Sequence, residues 1–297
     1  IVPLAAEGWH LILLRGLQGA LLSGAPATAM AWLSEELDDK ALPRAMGLYI
    51  AGTSVGGLTG RLIPTGLVEI STWRWALFGS ALVSLAFAIT SWLLLPAQRN
   101  FRPKSIHLTS ESRALFGHWA NRDLALLFLT AFLSMGTFVS MYNFLTFRLI
   151  DDFGLAPSLA GLAFVFYLSG TWSSARAGSL VARIGHGKTL CASAALFTLG
   201  IALCAGNLPM TLLGMIAFTV GFFAVHSTAS GWVGQIATHD RAEASSMYVF
   251  CYYFGSSVVG ACAGMLFDAL SWPLFIAFFT AVALSLSALT WTRIKSD

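Results

Sequence analysis

PAQRNFRPKSIHLTSESRALFGHWANRD, residues 96–123, is the one long polar stretch in an otherwise apolar chain, and its reading decides the fold. It separates three apolar runs from six. It also carries Arg99, Arg102, Lys104, Arg113 and Arg122. Basic residues flanking membrane spans stay on the cytoplasmic side, so the stretch is expected to be a cytoplasmic linker.

Outward from it, the composition sets the class. With 57% hydrophobic and 10% charged residues and a mean hydropathy of +0.74, the chain has more apolar surface than one soluble core could bury. A polytopic membrane protein follows. The net charge of +3 resides mostly in loops and reports orientation, which argues against a nucleic-acid partner. The four cysteines all fall in apolar runs without CxxC spacing, so no disulfide, metal or cofactor site is expected.

A hydrocarbon core takes roughly 20 helical residues. Nine runs reach that length: 11–33, 45–66, 75–95, 124–147, 159–181, 190–206, 210–232, 247–267 and 273–291. Lipid leaves no partner for an open backbone, so all nine are predicted to be helices, giving an all-α bundle protein. Three domains are expected: an incomplete three-helix bundle (1–95), the linker (96–123) and a six-helix bundle (124–297). With the linker inside, loops 34–44, 182–188 and 233–246 and the C-terminal tail are also cytoplasmic. Twelve Lys or Arg then lie inside and three outside, Arg61, Arg74 and Arg148. A faintly amphipathic segment, 112–119, is expected to lie on the inner leaflet or to act as a tether.

An internal repeat is visible at an offset of 199 residues: Ala45 with Ala244, Tyr49 with Tyr248, Gly56 with Gly255, Trp73 with Trp272, Leu85 with Leu284 and Trp92 with Trp291. One residue of slippage pairs Trp32 with Trp232. The first three runs therefore echo the last three, which implies a six-helix unit of which three opening helices are missing here.

Several strings then resemble the major facilitator superfamily, whose members join two six-helix bundles by a long cytoplasmic loop. Leu11, Arg15, Gln18 and Gly19 fit its LxxxRxxQG pattern. Gly52, Gly56 and Gly60 fit the glycines of its GxxxGPxxGG antiporter motif, with Gly57 and Arg61 departing from it. Gly178, Leu180, Arg183, Gly185 and Leu190 fit its GxLxDRxGRxxxL loop, with Ala182 and His186 replacing the aspartate and the second arginine. GLYIAG (47–52), YNFLTFRL (142–149), GWVGQIA (231–237) and YYFGSS (252–257) are similar to inner-membrane permeases of the drug and sugar efflux branch. The resemblance implies a secondary transporter of a small molecule working by alternating access, with helices equivalent to 4–12 of twelve. It also implies efflux, protons as a candidate coupling ion, and a monomer in the bacterial inner membrane.

A permease holds its substrate near the midplane on polar groups that would be costly against lipid. No Asp or Glu lies in the nine runs, and their basic groups are Arg15, Arg61, Arg176 and His226. Arg15, with Gln18 nearby, reads as an anion or substrate anchor or as a guanidinium snorkelling to the headgroups. Arg61 has the same two readings, and Arg176 reads as structural. His226 can load and release protons near neutrality or serve as a neutral hydrogen-bonding ring. Tyr142, Asn143 and the Tyr248, Tyr252, Ser256 stripe, with Tyr253 alongside, suit an aromatic cavity with hydroxyl handles; Tyr142 also fits an interfacial belt. Gly52, Gly56, Gly60, Gly260 and Gly264 read as close helix contacts. One enzymatic alternative is a GxSxG string, Gly52 to Gly56, pairing Ser54 with His226 as an intramembrane hydrolase, although that motif needs a strand-to-helix elbow. A channel is the other alternative.

Overall fold

The computed structural model describes residues 2–100 and 114–294; the expectations for 101–113 and 295–297 lie outside the described residues. Nine long helices account for most of it: α1 (Gly8–Glu36), α2 (Leu42–Ile70), α3 (Trp73–Leu94), α4 (Arg122–Asp151), α5 (Tyr167–Ile184), α6 (His186–Leu203), α7 (Leu208–Ile236), α8 (Arg241–Ala269) and α9 (Trp272–Ile294). Helical turns at Pro157–Gly161 and Leu162–Phe166 lead into α5.

The ends of these helices have local causes. Asn121 caps α4 by accepting from the backbone N–H groups of Asp123 and Leu124, and Asn207 caps α7 through Met210. Pro43 and Pro209 sit in first turns, where no N–H is needed. Gly185, at φ 85°, turns α5 into α6 in a backbone region that side chains avoid.

Six of the nine, α3, α4 and α6 to α9, are long and apolar enough to cross a membrane by length and composition. In α1, Arg15, Gln18 and four glycines dilute the hydropathy. Six glycines and Arg61 do the same in α2, and a tighter turn interrupts the run before α5. The expectation of nine spans is thus supported by composition for six.

Helix bounds keep the repeat. Helices α2 and α8 are both 29 residues long and start and end 199 residues apart; α3 and α9 start 199 apart. Helices α1 and α7, also 29 residues each, lie 200 apart, which is the predicted slippage.

Among the last six helices, α4 packs on α8, α7 on α5 and α6, and α6 on α9. Their core is aromatic: Phe138 stacks on Phe222 with centroids 3.9 Å apart, and Tyr142 and Phe218 meet edge to face. The first three helices join them through α1 on α8 and α2 on α5 and α7. At the α4–α8 crossing a side chain on Gly255 would strike the Phe132 backbone. At the α2–α5 crossing one on Gly178 would lie 2.7 Å from the Arg44 backbone. These glycines let the helices approach backbone to backbone. By contrast, an added Cβ at Gly52, Gly56, Gly60, Gly260 or Gly264 meets nothing within 4 Å. Their predicted packing role is corrected accordingly, because the helix faces that carry them have no neighbour among the described residues.

The linker's described ends are pinned. Glu36 Oε1 accepts from the Arg99 and Asn100 backbone N–H groups at 2.9 and 2.8 Å. His118 is buried, and its Nε2–H donates to the Asp240 carbonyl at 3.1 Å. Trp119 rests edge to face on Phe128. The described part of the expected inner-leaflet segment therefore docks on protein through His118 and Trp119, while Phe116 stays exposed.

Candidate functional site

Helices α1, α2, α7 and α8 enclose a cavity of about 50 Å³ where the first three helices meet the last six, room for about one or two waters. Pro26 and Met30 line it from α1, Tyr49 and Thr53 from α2, His226 from α7, and Tyr252 and Tyr253 from α8. Its lining has no charged side chain. Tyr49 and Thr53 stand one turn apart, so both reach the cavity from one face of α2. Sequence reasoning passed over them, although Tyr49 lies inside the quoted GLYIAG string.

His226 forms one wall. Its Nδ1 and the Tyr248 hydroxyl share a hydrogen bond of 2.8 Å. Its ring stacks between Tyr252, 4.5 Å away, and Phe222, 6.1 Å away. Both His226 and Tyr248 are buried. The tyrosine stripe of α8 therefore divides its work: Tyr248 holds the histidine from behind, Tyr252 and Tyr253 face the cavity, and Ser256, half-buried, lies outside its lining.

The other predicted residues lie elsewhere. Arg15 and Gln18 are exposed on α1, with Arg15 Nη1 donating to Gln18 Oε1 at 3.4 Å. The Arg61 guanidinium stacks over the Phe164 ring at 4.2 Å. Tyr142 is fully buried among the last six helices, its hydroxyl 2.7 Å from Thr219 Oγ1. It is a core residue, and the interfacial-belt reading is corrected. Asn143, one position on, is exposed on α4.

Of the cytoplasmic-loop motif, Gly178 sits at the α2–α5 crossing, Gly185 makes the α5–α6 turn, and Arg183 is exposed. Ser54 lies inside α2, its Oγ bonded to the Ala51 carbonyl and to Thr171 Oγ1. His226 is committed to Tyr248, so the structure does not bring the hydrolase pair together. Cys191, Cys204 and Cys251 are buried free thiols and Cys262 an exposed one.

At one end of the molecule the two groups of helices are tied together. Gln235 Nε2 donates to the Asp39 carbonyl at 2.6 Å, and Arg241 Nη1 donates to the Ser34 carbonyl at 3.2 Å. Glu35, beyond the apolar run 11–33, lies close by. Burial first, then the Glu243 and Glu36 carboxylates, hold its carboxyl above the ordinary glutamate value. A raised acid binds more protons folded than unfolded, so its stabilisation is complete below the ordinary value, near pH 4.5, and is lost as pH rises through the raised one. Replacing Glu35 with Gln is therefore expected to raise Tm near pH 7 and leave it unchanged near pH 4, as read by thermal unfolding of the detergent-solubilised chain.

The family model described as "Major Facilitator Superfamily" matches residues 1–171 and 126–296. The chain is 37% identical over 294 residues to "Inner membrane transport protein YnfM" of Escherichia coli (strain K12), covering 96% of this chain and 69% of that protein. It is 36% identical over 290 residues to "Uncharacterized MFS-type transporter YybF" of Bacillus subtilis (strain 168), covering 96% and 72%. Its fold superposes on the human organic anion transporter MFSD10 (TETRAN) with a TM-score of 0.75 at 15% identity, covering 95% of this chain and 71% of that one. A bacterial homologue of the iron transporter ferroportin in an outward-facing state gives 0.66 at 17% identity, covering 97% and 75%. Membrane-crossing helices, relatives named as transporters and the family match agree: the chain is a multi-pass membrane protein and belongs to the Major Facilitator Superfamily.

Proposed function

We propose that the chain is a secondary carrier of a small amphipathic solute, working by alternating access in the bacterial inner membrane and exporting its substrate. The observation that carries this reading is the placement of the aromatic, hydroxyl-lined cavity between the two groups of helices, Tyr49 and Thr53 on one side and His226, Tyr252 and Tyr253 on the other. A solute held there contacts both groups and can couple their relative motion. The arrangement described is closed at the end tied by Gln235 to Asp39 and by Arg241 to Ser34. By the distribution of Lys and Arg that end is cytoplasmic, as are the linker and the C-terminus.

In this reading all nine helices cross the bilayer, as equivalents of helices 4–12 of a twelve-helix carrier. The open faces of α1 and α2, with Arg15, Gln18 and the Gly52, Gly56, Gly60 row, take three further helices. His226 is the candidate proton carrier. The groups that face it are Tyr248 and Tyr252 from α8 and Phe222 from its own helix, with Tyr49 and Tyr253 completing the cavity wall.

Everted membrane vesicles test the function. Ethidium, as an amphipathic aromatic probe, is expected to accumulate saturably when an imposed proton gradient is present and to leak when the gradient is collapsed. Non-saturating flux with an ohmic current would mean a channel instead.

A further inference from the structure

On the outer surface of the last six helices a second, larger groove of about 360 Å³ runs between α5, α6 and α7. One wall is a single face of α5, because Trp172, Arg176, Leu180 and Arg183 follow one another at helical spacings of four, four and three. Leu196 and Val220 contribute to the apolar floor. Trp172 and Leu180 are 55% and 38% exposed, so the groove opens to the bilayer.

The two arginines distinguish this groove from an ordinary lipid-facing seam. The Arg176 guanidinium is laid over the Trp172 ring at 4.5 Å, which orients it along the groove. Arg183 is exposed at the end of α5. No Asp or Glu lines the groove. Among the described residues neither guanidinium has a hydrogen bond or ion pair, so their N–H forks are available. Seven helical residues separate them, a rise of about 10 Å, which two long arginine side chains can bridge by converging on one group.

We infer that this groove is a binding site for an anionic phospholipid, with one acyl chain along Trp172, Leu180 and Leu196 and the phosphate held between Arg176 and Arg183. Charge complementarity selects the occupant: a phosphodiester takes arginine forks with charge-assisted hydrogen bonds, and basic recesses between membrane helices suit acidic headgroups. A zwitterionic lipid of equal chain length offers the same hydrocarbon but cancels part of the charge.

The test is native mass spectrometry of the detergent-purified chain titrated with phosphatidylglycerol or with phosphatidylcholine of the same acyl chains. Phosphatidylglycerol is expected to bind about tenfold more tightly. The R176Q/R183Q double variant should lose that preference, whereas K188Q, which removes a nearby charge outside the groove, should keep it. L196W retains both arginines but fills the floor, and should weaken adducts of both lipids. Equal binding of the two lipids by the wild type, a preference that survives R176Q/R183Q, or full binding by L196W would each overturn the site.

Discussion

Replacing His226 with Ala is expected to abolish solute transport and to destabilise the chain by about 3 kcal/mol. Two losses add. The Tyr248 hydroxyl loses its 2.8 Å partner and keeps only the His226 carbonyl at 3.4 Å, and a buried hydroxyl deprived of its bond costs about 1–3 kcal/mol. Removing the imidazole also vacates the space between Phe222 and Tyr252, and truncating a buried ring carries a cavity penalty on top of the transfer term. His226→Gln separates architecture from proton chemistry. The amide can still bond Tyr248, so the variant should retain a near wild-type Tm, while its transport should no longer vary with pH. A Gln variant with the wild-type pH profile would remove His226 as proton carrier and leave it as a cavity wall.

Gly178→Val is expected to be as damaging for a different reason. The added Cβ would lie 2.7 Å from Arg44 Cα and N and 2.8 Å from the Pro43 carbonyl carbon, and these are backbone atoms of α2 that cannot rotate away. Separating α5 from α2 there costs about 3 kcal/mol or more and lowers Tm by roughly 5–10 °C. It also loosens the contact between the first three helices and the last six, so transport should fall with stability. Gly56→Ala is the matching control. Nothing lies within 4 Å of its added Cβ, and its Tm should be unchanged; a Gly178→Val chain melting like this control would refute the close crossing.

The class of the protein was legible in its sequence, because hydrocarbon length and a backbone without water leave few choices. The nine runs, the polar linker and the 199-residue repeat were all readable from local composition, and the helix bounds follow that spacing. His226 and Tyr252 also stood out, because a polar ring within an apolar run needs a reason to be there.

Partnership was not legible. Tyr248 and Tyr252 belong to one stripe, yet one is buried behind His226 and the other faces the cavity, since a 29-residue helix contacts different neighbours on each side. Arg61 and Arg15 are both guanidiniums within apolar runs, yet one stacks on Phe164 and the other stands exposed beside Gln18.

The repeat itself marks the boundary between the two kinds of information. Gly56 and Gly255 are matched positions on matched helices, α2 and α8. Sequence alone determined that both lie in apolar, glycine-bearing helices of the same length and register, because helix formation in lipid depends on the segment's own residues. Only the tertiary structure decided that Gly255 is pressed against the Phe132 backbone while Gly56 meets nothing. Helix packing depends on which neighbour arrives and from which side, and a segment does not encode that within itself.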